Sequence, residues 1–171
     1  MKVIVDTSVW SLVLSRSPAA VNTEADKLKK LIQNQSVVMI GCIRQELLSG
    51  IRELAQYEHL REHLSAFPNQ ILNENCYELA AKMFNDCRAK GVQGSNTDFL
   101  ICAAAQLNQL AIYTTDQDFM HYQKILGISL YQPTSIQHGK SKNHLQLHRV
   151  RRQRAKMARP MPILPCVEYF G

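Results

Sequence analysis

Four carboxylates stand where their types and spacing could do chemistry together. Asp6 directly follows the short apolar run Val3-Ile4-Val5, and Asp116 follows the run Ala111 to Thr114 by one residue. Glu46 lies in the first turns of a helical stretch beyond the run Val37 to Ile40, and Asp98 in the first turn of the apolar stretch Thr97 to Asn108. Runs of this length, continuous and rich in β-branched residues, read as strands buried on both faces of a parallel sheet. In such a sheet the carboxyl ends of strands and the amino ends of the following helices share one edge, where open α/β folds bind their ligands. Acids from four distant parts of the chain then converge on one crevice. Grouped carboxylates repel one another unless something positive lies among them. A hard divalent cation, Mg²⁺ or Mn²⁺, suits an all-oxygen site with open water positions. Such a site hydrolyses phosphodiesters without a histidine base: one ion activates a water, and a second, about 3.5–4 Å away, stabilises the leaving oxygen.

Each acid also has an ordinary reading. Asp6 stands before Thr7 and Ser8, residue types that start helices, and could simply cap one. Asp98 could complement its helix dipole, worth about 0.3–1 kcal/mol. Glu46 could be a solvated helix residue, and Asp116 a turn acid. The shared edge is what favours one common site over four separate structural roles. Thr7 and Ser8 have no base beside them in sequence, so capping or support of a carboxylate suits them better than attack as nucleophiles.

The elements that must position these residues follow from the apolar pattern. Thr7 to Leu14 forms a short helix after the first strand, and Asn22 to Gln33 an amphipathic one with Ala25, Leu28, Leu31 and Ile32 on one stripe. A helix runs from Ile43 to Ile51, and a second continues to Phe67, where Pro68 ends it. Ile71-Leu72 is a candidate brief strand. Cys76 to Lys90 repeats apolar residues at steps of three and four and ends at Gly91. Ser95 or Asn96 caps the next helix, whose almost wholly apolar sequence demands a central position. Asp116 to Phe119 leads into a short helix ending at Ile125, and Ile128 to Tyr131 closes the sheet. Alternating strands and helices predict an α/β fold with a mainly parallel sheet.

The chain of 171 residues, 46% hydrophobic, suits one domain of ordinary soluble composition. No apolar run nears the roughly 18 residues of a membrane span, and Lys2 before a short strand is not a secretory leader. The five cysteines (Cys42, Cys76, Cys87, Cys102 and Cys166) show no CxxC spacing, which favours buried thiols and a cytoplasmic location. Charge is divided unevenly. Residues 1 to 139 hold 12 Lys/Arg against 13 Asp/Glu, whereas residues 140 to 171 hold 8 against Glu168 alone. Such a basic tail, with Pro160, Pro162 and Pro165, is expected to lack regular structure, although arginine-rich segments also bind nucleic-acid phosphates. His59-Leu60-Arg61-Glu62-His63 reads HxxEH, the inverted zinc-peptidase pattern, within an otherwise charged helix face.

Four segments in order, VDTSVW (5–10), RQELLSG (44–50), TDFLICAAA (97–105) and YTTDQDF (113–119), make the sequence similar to the PIN-domain nucleases. Within them it resembles the VapC-type toxins of bacterial toxin–antitoxin pairs. The likeness covers about residues 1 to 133 and implies a three-layer PIN-like fold, followed by a basic extension over 134–171. It implies that Asp6, Glu46, Asp98 and Asp116 are the metal-binding quartet. Thr114 and Asp118, and Thr7 or Ser8, fall on supporting positions. It further implies Mg²⁺-dependent cleavage of RNA, a homodimer, and inhibition by a cognate antitoxin. Arg16, Arg44 and Lys90 are candidate cations flanking the acidic crevice. A PIN-like module that binds RNA or protein without cutting is the main alternative, and a zinc peptidase built on His59, Glu62 and His63 a remote one.

Overall fold

The computed structural model describes residues 1–14 and 21–132 of the chain. Five strands form one sheet: β1 (Val3–Val5), β2 (Val37–Ile40), β3 (Asn69–Gln70), β4 (Ala111–Tyr113) and β5 (Ser129–Leu130). Seven helices lie between them: α1 (Thr7–Leu14), α2 (Val21–Gln33), α3 (Gly41–Leu48), α4 (Leu54–Ser65), α5 (Glu74–Ala89), α6 (Asn96–Leu107) and α7 (Asp118–Leu126). The fold is the expected α/β arrangement of a central parallel sheet flanked by helices.

The strand order is β3-β2-β1-β4-β5, and every pairing is parallel. β1 is central, with Val3 opposite both Val37 and Ala111. Val3, Ile4 and Val5 are essentially without exposure, as the continuous apolar run requires. The chain builds outward on one side of β1 through β2 and β3, then returns to its other side for β4 and β5. The loops leaving β1 and β4 therefore part from each other, and the switch between them opens a crevice at the carboxyl edge.

α1 packs on α2 and α3, whereas α5 packs on α6 and α7. Trp10 of α1 lies in the core, its indole Nε1 donating to the Val5 carbonyl at 3.1 Å and its ring edge-on to Phe67. Burying a large apolar side chain of this kind contributes about 1.5–3 kcal/mol. In α6, Phe99 and Ile101 to Ala105 are buried, which gives the central helix its place. The run from Cys102 to Ala105 offers no polar side chain, and its small alanines let neighbouring elements come close.

Two boundaries and one expected burial depart from the sequence expectation. The brief strand is Asn69–Gln70 rather than Ile71-Leu72, because the backbone pairs with β2 at Met39 and Ile40 while Ile71 points into solvent, 87% exposed. An edge strand this short needs ladder hydrogen bonds, not apolar side chains. α3 stops at Leu48, followed by Ser49 in an extended conformation and Gly50 at φ +84°. The left-handed Gly50 prevents the helix from reaching Ile51. Leu107, read as part of the buried stretch, is 48% exposed at the last turn of α6. Gly91, at φ +75° just beyond Lys90, ends α5 as expected. The described cysteines Cys42, Cys76, Cys87 and Cys102 are free thiols, three of them buried. Among the described residues no helix is long and apolar enough to cross a membrane. Arg16, Cys166 and the whole basic extension lie outside the described residues.

Candidate active site

The carboxyl edge is closed by a hydrogen bond between the ends of β1 and β4: the Asp6 amide donates to the Tyr113 carbonyl at 2.8 Å. This brings the segments Asp6-Thr7-Ser8 and Thr114-Thr115-Asp116 side by side. Asp6 is 6% exposed and is the one buried charged residue described. Its Oδ2 accepts from Ser8 Oγ at 2.6 Å and from Thr114 Oγ1 at 2.8 Å. The Ser8 amide also approaches the same oxygen at 3.4 Å, so Asp6 does cap α1, though weakly. Burial pushes the Asp6 carboxyl above its ordinary range, and the Ser8 and Thr114 hydroxyls oppose that rise. Among the described residues, no ammonium or guanidinium is one of the groups acting on it.

The two hydroxyls join both sides of the crevice. Ser8 Oγ lies 3.2 Å from Thr114 Oγ1 and accepts from the Thr115 amide at 3.1 Å. Thr114 Oγ1 accepts from the Asp116 amide at 2.9 Å, and Asp116 Oδ1 accepts from the Asp118 amide at 3.0 Å. The last bond is a turn contact that starts α7, the ordinary role open to an acid at this point. Glu46 arrives from α3, which packs on α1, and its Oε2 accepts from Thr7 Oγ1 at 2.6 Å.

Asp98 stands three residues into the α6 capping box. Ser95 Oγ accepts from the Asp98 amide at 3.0 Å, and the Ser95 amide donates to Asp98 Oδ2 at 2.9 Å. Its structural role is thus present, and its Oδ2 also lies 3.4 Å from the Tyr122 hydroxyl. Asp98 and Asp6 both act electrostatically on the buried Cys102 thiol, after burial itself, and push it far above its usual value. Asp98, Asp118 and Asp116 likewise follow burial in raising the Tyr122 phenol. Asp6, Asp98, Asp116 and Asp118 therefore act on neighbouring groups of the core, and Glu46 joins them only through its bond to Thr7. Among the described residues, though, no three His, Cys, Asp or Glu side chains come close enough to hold a single ion. The carboxylates form a rim, with Glu46 turned toward Thr7 on the α1–α3 side.

Two of the candidate flanking cations can be placed. Arg44 is not free to meet a ligand: its guanidinium donates to Asn69 Oδ1 at 2.8 Å, to the Leu64 carbonyl at 3.1 Å and to the Phe67 carbonyl. It ties α3 to the end of α4 and to the segment that follows it, a structural use that corrects the flanking assignment. Lys90 is exposed at the end of α5, at the start of the loop leading to Ser95. The His59 and His63 rings meet edge to face with centroids 4.3 Å apart, and His63 Nδ1 lies against the His59 carbonyl at 2.7 Å. That is the contact of one helix turn with the next.

Sequence reasoning missed Tyr122 and Gly94. The Tyr122 hydroxyl shares its proton between the Gln93 carbonyl at 3.2 Å and Asp98 Oδ2 at 3.4 Å. Its spacing of four residues from Asp118 on α7 was the available signal. It also missed the bond from the Tyr113 hydroxyl to Glu24, which ties β4 to α2.

A family model of the PIN domain matches residues 3–125, from the first strand into the last helix. The chain belongs to the PIN-domain family. Its fold is shared with VapBC2 from Rickettsia felis bound to a DNA fragment from their promoter (TM-score 0.63, 18% identity, covering 77% of this chain and 98% of that one). FitAcB from Neisseria gonorrhoeae is similar at TM-score 0.62 and 21% identity over 78% of this chain and 99% of that one. DNA-bound VapBC from Salmonella typhimurium gives 0.61 and 16% over 77% and 97%. At these identities the likeness speaks for the fold of this PIN domain. No curated protein matches the chain in sequence. Membership also speaks against a zinc peptidase, since the HxxEH segment lies on α4, away from the crevice edge.

Proposed function

We propose that this PIN domain is an Mg²⁺-dependent endoribonuclease, with Mn²⁺ able to substitute, and the toxin of a type II toxin–antitoxin pair. What supports this reading is the hydrogen-bonded carboxyl edge beside the β1/β4 switch, where Thr114 links Asp6 to Asp116, Thr7 holds Glu46, and Asp98 stands in the first turn of α6. The donor set fits a hard cation: every candidate ligand is a carboxylate oxygen, and the buried Asp6 carboxyl has hydroxyl and amide donors but no cationic partner among the described residues. A divalent cation held by these residues would supply activation of a water and neutralisation of charge on the leaving oxygen of a phosphodiester.

The chain's own residues supply the rest. Asp6, Glu46, Asp98 and Asp116 would hold the cation. Ser8 and Thr114 fix the rotation of the Asp6 carboxylate, and Thr7 sets the reach of Glu46. Asp118 starts α7, and its amide orients Asp116. Lys90 is the candidate contact to the RNA backbone. The nuclease unit is residues 1–133, so a chain ended after Gly139 should still cut. The VapBC and FitAcB neighbours support an antitoxin partner, and a cytoplasmic homodimer is the matching assembly.

Purified protein should cut total cellular RNA at discrete positions with Mg²⁺, and should fail to do so with EDTA or as Asp98→Asn. Intact RNA after incubation with folded, antitoxin-free, metal-supplied protein would refute the nuclease. RNA binding without cleavage would then favour a binding module.

A further inference from the structure

Tyr122 is fully buried, yet its hydroxyl reaches the rim of the acidic crevice. Its ring packs between Phe99 and Phe119, with centroids 5.0 and 5.3 Å away. Phenylalanine would fill that space equally well, so packing does not explain the hydroxyl. The neighbouring backbone does suggest a use. Gly94 lies so close that a Cβ there would collide with the Tyr122 hydroxyl and come within 2.9 Å of both Tyr122 Cζ and Phe99 Cε2. The φ of Gly94 is not in the left-handed region, so backbone conformation does not call for glycine here. What glycine provides at 94 is room for the edge of the Phe99 ring and, most closely, for the Tyr122 hydroxyl.

The hydroxyl lies between two acceptors, the Gln93 carbonyl at 3.2 Å and Asp98 Oδ2 at 3.4 Å. Asp98 Oδ2 takes the Ser95 amide at 2.9 Å from one side and the Tyr122 hydroxyl at 3.4 Å from another. Two donors on the same oxygen fix the rotation of the carboxylate about its Cβ–Cγ bond. Oδ1 is then the oxygen presented to the crevice. We infer that Tyr122 is a positioning residue, which aims Asp98 Oδ1 toward a bound cation, and that Gly94 is small in order to seat its hydroxyl. The part of this that concerns a cation rests on the nuclease reading above.

The test uses the full chain and Mn²⁺ alone, titrated calorimetrically, beside RNA cleavage and thermal melting. Removing the support of a metal ligand typically weakens metal binding or activity roughly 10- to 100-fold. Tyr122→Phe should lose Mn²⁺ affinity by a factor in that range, with kcat falling and KM for RNA unchanged, while its melting temperature stays near that of the wild type. A residue that merely fills the core would do the opposite, lowering the melting temperature and leaving Mn²⁺ affinity intact. Gly94→Ala should weaken Mn²⁺ binding by a similar factor, because its methyl displaces the hydroxyl. The double variant should be no weaker than Gly94→Ala alone, since both changes break one contact. Wild-type Mn²⁺ affinity and kcat in Tyr122→Phe would overturn the role of Tyr122, and additive losses in the double variant would overturn that of Gly94. A wild-type chain that binds no Mn²⁺ and cuts no RNA would remove the nuclease reading itself, and with it this one.

Discussion

Thr114→Val isolates the hydroxyl that joins the two halves of the site. Valine keeps the branched shape and loses only the oxygen. Thr114 Oγ1 donates to Asp6 Oδ2 at 2.8 Å and accepts from the Asp116 amide at 2.9 Å. A hydrogen bond to a charged group contributes about 1.5–3 kcal/mol, and an amide left without its acceptor costs about 1 kcal/mol where water reaches it in part. The sum is about 2.5–4 kcal/mol. For a chain of this size each kcal/mol moves the melting temperature by about 2–4 °C, so a fall of roughly 5–15 °C is expected. Asp6 is 6% exposed, so water cannot replace the lost donor. Thr7→Val is the control, because its bond to Glu46 lies at an exposed position. Exposed interactions of this kind contribute at most about 1 kcal/mol, and the melting temperature should move by no more than about 4 °C. Circular dichroism melts of both variants, beside RNA cleavage at fixed Mg²⁺, measure the difference. Both should cut more slowly, since each frees a carboxylate to rotate. Equal melting of Thr114→Val and wild type would refute the reasoning, because the hydroxyl bridge would then hold nothing together.

Two further outcomes follow from contacts away from the rim. Arg44→Lys should destabilise the fold by about 1–3 kcal/mol, since one ammonium cannot reach Asn69, Leu64 and Phe67 together. RNA affinity should not change, and weaker RNA binding with unaltered melting would return Arg44 to the crevice. Burial pushes the Cys42 thiol up to about 11 and the Cys102 thiol higher still. Iodoacetamide at pH 8 should therefore leave both unmodified in the native protein, as read by mass spectrometry of tryptic peptides. Rapid alkylation of either would show that its surroundings are open.

The strands and helices were legible because the apolar pattern and the capping residues agreed. Val3-Ile4-Val5 had no wet face, Ser95 stood three residues before Asp98, and Gly91 closed the α5 periodicity. The parallel sheet then followed from alternation, and the shared edge from the sheet. Ile71 misled because an edge strand of two residues is set by backbone pairing, to which hydrophobicity is blind. Arg44 misled for a related reason: a cation beside a motif acid reads as a ligand contact, while the carbonyls it satisfies are 20 or more residues away in sequence. Tyr122 carried only its helical spacing from Asp118 as a signal, and Gly94 carried none, because the meaning of both lies in one contact between a loop and a helix.

Asp6 shows most plainly that the site works against the stability of its own fold. Burial raises its carboxyl above the ordinary value of 3.8. The native chain therefore holds a proton at pH values where the unfolded chain has already lost it. Stability tied to this group is fully present below the unfolded pKa and declines as pH rises through the folded one. At neutral pH a buried, ionised carboxylate is left with neutral donors alone. Asp6→Asn removes that charge and keeps a carbonyl oxygen for the Ser8 and Thr114 hydroxyls. In EDTA at pH 7 the variant should melt above the wild type, and the gap should close as pH approaches the unfolded value. Adding Mn²⁺ should reverse the order, because a ligand that binds the native state stabilises it by mass action, and the neutral amide of the variant offers no charge to hold the ion. Catalysis should be lost throughout. A metal-free Asp6→Asn protein that melts below the wild type at pH 7 would mean that the carboxylate stabilises the fold in its own right. The case for a site built to receive a cation would then lose its strongest physical support.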